Sequence, residues 1–222
     1  MSESREHLYT QKLYPTVNNA DLLEFRIPPN AKGHLDLANV KLHFTATLPT
    51  PSESAAPIFA QNFFGAKQFS SLEVRVNGEA VTRRSCANEF FLSAYFQTMI
   101  NFASDYQISA LKPAGVFDHS SMSTWEIVAL DAAQKQSFKE SRTQVATTKD
   151  FEILMPIDST IFYSNDLLPS STAIDLSFER SVAAFSSVVG KAGVTVPDKG
   201  LSFKNTIYTL IMKNVIVTLS ST

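Results

Sequence analysis

The chain holds one cysteine, Cys86, so no disulfide can form within it. That suits synthesis in a reducing compartment. Glycine numbers only 7, and charged residues make up 18% of the 222, below the usual quarter. The formal net charge is -2, with no basic excess. This argues against a protein whose main task is to neutralise nucleic-acid phosphates. Apolar runs such as Val215-Ile216-Val217 are far too short to span a bilayer. The stretch from Met1 to His7 is polar and charged, without the apolar segment of a secretory signal. No Asn-x-Ser/Thr acceptor, low-complexity tract or fixed-period repeat is found. Together these absences point to a protein made in a cytosol-like space. What is present is apolar and hydroxyl-rich: 44% hydrophobic residues, 17 Phe, and Ser and Thr together at 44. Such a composition excludes a disordered chain. One domain of this length buries roughly 70% of its unfolded surface.

Period-two alternation, the mark of a half-buried strand, recurs along the chain. In Ser71 to Gly78 the apolar set is Leu72, Val74 and Val76, with Glu73 and Arg75 opposite. Asn77-Gly78 then supplies the two positive-φ residues of a type I′ turn, and Glu79 to Thr82 returns from it. Ala173 to Arg180 places Ile174, Leu176 and Phe178 on one face. Val40 to Leu48 closes at Pro49, Asp150 to Met155 closes at Pro156, and Leu22 to Ile27 closes at Pro28-Pro29. Tyr208 to Leu219 is β-branched and nearly free of charge, which predicts a strand buried on both faces for much of its length. Helical spacing is rarer. Phe90, Phe91, Ala94, Tyr95, Thr98 and Met99 predict a helix over 85–101, capped by Ser85 or Asn88. A polar helix over 131–142 and a single turn over 158–163, with Asp158 as N-cap, are weaker expectations. About eight strands with few helices predict an antiparallel two-sheet sandwich or barrel, not a parallel α/β fold.

No catalytic constellation emerges. Asp118-His119-Ser120 spells a triad, but adjacent residues cannot present three side chains to one another in the needed geometry. His34 and Asp36 share a strand face at metal-ligand spacing and lack a third ligand nearby; His7 and His43 stand alone. Cys86, beside the helix start, is read as a small packed residue, not a nucleophile. Gly190-Lys191-Ala192-Gly193 lacks the order of a phosphate-binding loop. Arg83-Arg84 is the strongest basic spot and reads as a solvated edge. Phe63, Phe64 and Phe69 are interleaved only with Lys67, which fits core packing better than a base-stacking platform. The sequence therefore implies no catalytic, cofactor or metal residues and no enzyme.

The order of these motifs resembles a viral jelly-roll capsid protein. Phe25-Arg26-Ile27-Pro28 followed by Leu35-Asp36-Leu37 is similar to its opening strands. Ala60-Gln61-Asn62-Phe63-Phe64 and Phe69 to Gly78 resemble a stretch of the major capsid proteins of Polinton-type elements and adintoviruses. The aromatic helix from Asn88 to Ile100 resembles the helix that follows there, without that family's arginine. Leu167-Leu168-Pro169 through Arg180-Ser181 and Phe185, then Tyr208 to Val217, resemble its later strands. The resemblance covers residues 20 to 220 in order. It implies an all-β, eight-stranded antiparallel jelly-roll sandwich over 21–222, with an inserted helix, long decorated loops and an N-terminal arm over 1–20. That family carries two fused jelly rolls, and the resemblance covers the first, so it implies either an N-terminal half or a single-jelly-roll relative.

The resemblance further implies a structural virion protein, made in the host cytoplasm, that self-assembles as a trimer or other capsomer into an icosahedral shell. Its partners are then copies of itself and other capsid proteins, with no specific nucleic acid, membrane insertion or small-molecule substrate. The 87–101 helix and the loops 104–148 and 186–205 are the expected contacts. Alternatives are a single-jelly-roll penton or minor capsid protein and a lectin- or cytokine-like binding module. A cupin-type enzyme lacks the His-x-His ligand pair it needs.

Overall fold

A computed structural model describes residues 4–19, 21–29, 33–47, 58–60, 63–82, 89–103, 111–116, 150–164, 166–181, 188–190 and 208–219. The expected helix over 131–142, the caps Ser85 and Asn88, and the loop stretches 104–110, 117–148, 186–187 and 191–205 lie outside the described residues. In chain order the strands are β1 (Ser4–Leu13), β2 (Val17–Asn18), β3 (Leu22–Ile27), β4 (His34–Thr47), β5 (Ile58–Ala60), β6 (Phe69–Val76) and β7 (Glu79–Ala80). The helix α1 (Glu89–Asn101) follows, then β8 (Asp150–Pro156), β9 (Leu167–Leu168), β10 (Ile174–Arg180), β11 (Val188–Gly190) and β12 (Tyr208–Leu219).

Two five-stranded antiparallel sheets form the body. The first runs β1-β12-β4-β8, with β9 also pairing to β4; the second runs β2-β3-β10-β6-β7, and β5 and β11 make a separate pair. The six strands β3, β4, β6, β8, β10 and β12 fall alternately in the second and first sheets, so each step along the chain crosses the sandwich. This is the all-β antiparallel sandwich that the strand pattern predicted, with the inserted helix α1 and the jelly-roll-like order that the resemblance implied. Five of the twelve strands have only two or three residues.

Alternation explains how the sheets close on each other. Leu23, Phe25 and Ile27 of β3 and Ile174, Leu176 and Phe178 of β10 point inward with Phe44 of β4 and Tyr208 of β12. Phe44 and Tyr208 are direct cross-strand partners and stack at 5.2 Å. Phe69 joins the layers, 6.1 Å from Phe44 and 5.0 Å from Phe178. Each fully buried ring contributes roughly 1.5–3 kcal/mol. The type I′ turn forms as expected, with Asn77 at φ 51° and Gly78 at φ 89°. The Asn77 side chain also accepts the Ala173 N–H at 2.9 Å, fastening the turn to the start of β10.

Three features depart from the sequence pattern. β4 begins at His34, earlier than its alternation indicates, because its inward set shifts from Leu35 and Leu37 to Val40, Leu42 and Phe44. A bulge causes the shift: pairing with β12 jumps from Lys41–Ile211 to Asp36–Lys213, and Asn39 Nδ2 donates to Asp36 Oδ2 at 2.6 Å across it. β1 lies within the expected arm and has no clear alternation; it is held by ten backbone register pairs along β12. The turn expected over 158–163 is a 3-10 turn, Thr160–Tyr163, with Ser159 in the N-cap position. Asp158 is therefore not its cap. Ser159 is extended, so the chain enters the turn one residue later, and the Asp158 carboxylate is enclosed by the protein.

Candidate functional site

Helix α1 is apolar on two sides. Its inner side seats Phe90 against Phe69 and Phe178, at 6.1 and 5.8 Å, and sets Phe91 and Tyr95 against Phe63. On its outer side, Leu92, Phe96, Met99 and Ile100 recur at i, i+4, i+7 and i+8, which makes a single stripe. These four are 43, 56, 44 and 78% exposed. The helix carries one charged residue, Glu89, at its first position. A contiguous apolar stripe left in solvent marks an interaction surface, and the inner aromatic packing holds it on a rigid body.

The outer face of the second sheet is its chemical opposite. Register places Asp175 of β10 between Arg26 of β3 and Arg75 of β6, and Ser177 between Glu24 and Glu73. Charges of opposite sign thus meet within and between the rows. Arg26 Nε lies 3.7 Å from Asp175 Oδ1, Arg75 Nε donates to Glu73 Oε1 at 2.5 Å, and Ser177 Oγ donates to Glu24 Oε1 at 3.3 Å. The Glu73 hydrogen bond and charge hold the Arg75 guanidinium above its ordinary pKa. This face satisfies itself.

Arg180 is a site residue that the sequence reading left as part of a strand pattern. It shares parity with Ile174, Leu176 and Phe178, and that parity was the available signal that it points inward. Its Nη1 donates to Tyr208 Oη at 2.9 Å and its Nη2 to Asn18 Oδ1 at 2.7 Å, with the guanidinium 4.9 Å from the Tyr208 ring. Burial pushes the Tyr208 phenol up to about 12, against the pull of Arg180.

The residues weighed for chemistry do not converge. His34 and Asp36 both lie at the start of β4, where Asp36 is engaged by Asn39. His43 Nε2 lies 3.9 Å from Glu152 Oε2. Phe63, Phe64 and Phe69 are buried, and Lys67 lies over the Phe91 ring at 5.1 Å. His119, Cys86, Arg83-Arg84 and 191–193 lie outside the described residues. Among the described residues no group of three or more His, Cys, Asp or Glu is placed to hold a metal ion, and no helix is long and apolar enough to cross a membrane.

No protein-family model matches the chain, and no curated protein matches it. Two solved structures align with 98% of it. A quasi-atomic model of the PBCV-1 virus capsid does so at 10% identity and a TM-score of 0.48. PBCV-1 VP54, from a crystal structure fitted into a cryo-EM reconstruction of the virophage Sputnik, does so at 9% identity and 0.49. The chain spans 43% of the length of each.

Proposed function

We propose that the chain is a jelly-roll capsid subunit, of the kind found in the major capsid proteins of Polinton-type elements and adintoviruses, and that it assembles with copies of itself in a virion. The observation that carries this reading is the exposed, charge-free stripe of α1 on a rigid sandwich. A second copy of this chain is its occupant. Two uncharged apolar faces do not repel, and a patch that is complementary to itself is what closed symmetric assembly uses. The ordered series of motifs from Phe25 to Val217 supports the same reading. The role is structural, with no substrate.

The test is native mass spectrometry and sedimentation on the wild type and on Ile100→Glu. The wild type is expected to form trimers or larger closed species, and Ile100→Glu is expected to shift them to monomer with an unchanged far-UV CD spectrum, because Ile100 is 78% exposed in the single chain. Pentamers in place of trimers would favour the penton alternative. A wild type that stays monomeric at high concentration across salt and pH overturns the proposal.

A further inference from the structure

Beside the inner side of α1 lies a cleft of about 490 Å³, between the helix, the β4 bulge and the exit from β8. Its walls are apolar, built from Phe63, Phe90, Ala94, Val116, Met155 and Phe162. Phe63 holds its ring there at a φ of 58°, a left-handed conformation rare for an aromatic residue. Against these walls stands Asp158, which is 8% exposed. Neither of its carboxylate oxygens has a hydrogen-bond partner among the described residues, and the neighbouring Ser159 Oγ has none either. Lys41 lines the same cleft, yet no ion pair joins it to Asp158 among the described residues.

A buried carboxylate with no partner is costly, and the groups around it give the fold no return for keeping it. A ligand that completes it does. The volume is that of a small-ligand pocket, mostly apolar with a few polar groups. A divalent metal ion is a poor fit, because it needs several oxygen ligands and the cleft offers a single carboxylate among the described residues. An anion would face Asp158, and a neutral apolar molecule would leave it unpaired. Aromatic rings along the wall favour a cation further.

We propose that this cleft binds an organic cation, a primary ammonium or guanidinium on an apolar body, with Asp158 as its counter-ion. The proposal does not depend on the capsid reading. The same group is presented by a free amine and by a lysine side chain.

The test titrates the full chain at pH 8 with hexylammonium, hexanol and hexanoate, observed by NMR of the protein. Hexylammonium is expected to bind saturably, at least tenfold more tightly than hexanol or hexanoate, and to lose at least tenfold in Asp158→Asn, which keeps the side chain's shape. Equal binding of hexanol, undiminished binding by the variant, or no binding of hexylammonium overturns the proposal. Because burial pushes the Asp158 carboxyl up to about 7, wild-type affinity should also rise several-fold from pH 6 to pH 8, a readout that needs no variant; a flat profile counts against it. Among the described residues, Lys41 on β4 and Tyr163 on the 3-10 turn are the other titratable groups lining the cleft. A Lys41→Met variant should keep the rise, and losing it would overturn the role given to Asp158. N-acetyl-lysine amide distinguishes the sources: affinity equal to hexylammonium assigns a protein lysine, and tenfold weaker binding assigns a free amine.

Discussion

Arg180 and Asp158 are both ionisable side chains enclosed by the sandwich, and each is 8% exposed. Their surroundings differ. Arg180 reaches Tyr208 on β12 and Asn18 on β2, so one guanidinium joins three strands of the two sheets. Asp158 sits just past β8, where its carboxylate accepts no hydrogen bond among the described residues. Burial costs both groups hydration. Only the first receives bonds from the fold in return, and its planar fork of donors suits two acceptors at once. A buried charge that the fold engages through two hydrogen bonds explains itself through stability. One that the fold leaves incomplete calls for a ligand, and that contrast locates the cleft.

The contrast is broken or sharpened most strongly at Asp158, through pH. Burial pushes its carboxyl up to about 7 in the folded protein, from the ordinary 3.8. Between those values the native state binds more protons than the unfolded chain. The stabilisation is therefore fully present below about pH 4 and is lost as pH rises through about 7. That difference corresponds to about 4 kcal/mol. Urea unfolding from pH 4 to pH 8 should show the wild type losing about that much relative to Asp158→Asn. Parallel curves for the two proteins would mean that Asp158 has a partner and that the contrast is false.

The opposite sign is expected at Arg180. Arg180→Ala removes both donated bonds and the packing of the aliphatic stem, leaving the Tyr208 hydroxyl enclosed without that donor. The loss should be about 3 kcal/mol, read as a lower urea midpoint at every pH. Arg180→Lys should recover only part of it, because an ammonium cannot reproduce the two-pronged geometry. A near-neutral Arg180→Ala would place the guanidinium with Asp158 as a group that the fold tolerates without using.

How much of this was legible in the sequence follows from the range of the signal. Leu22–Ile27 and Tyr208–Leu219 are strands with the predicted bounds, because the prolines after the first and the β-branched, charge-poor composition of the second are local cues. The Asn77-Gly78 turn is local in the same way. Arg180 was half legible: parity turned it inward, but its partners lie 28 and 162 residues away. β1 was hidden because backbone pairing with β12 holds it, which requires no side-chain pattern. Asp158 was misread outright. An acidic residue before a short turn looks like a cap, and only walls drawn from Phe63, α1, Val116 and Phe162 reveal an enclosed carboxylate. The outer stripe of α1 was present as spacing, although spacing alone does not tell which of the two apolar sides of this helix meets solvent.

The smallest effect is expected on the outer face of the second sheet, where it asks whether charge or burial sets the energetic weight. Asp175 is flanked in register by Arg26 and Arg75, an arrangement that looks as well matched on paper as that of Arg180. Its side chain is 39% exposed and that of Arg26 is 66% exposed, so water already solvates both. Exposed pairs of this kind contribute roughly 0–1 kcal/mol and fade with salt. Asp175→Ala should change the unfolding free energy from urea titration by less than about 0.5 kcal/mol, and NaCl at about 0.5 M, where screening is strong, should erase the change. A cost above about 1 kcal/mol that survives salt would show that matched charges stabilise this fold wherever they lie. Asp158 would then be unusual for lacking a partner, with burial contributing little to the difference.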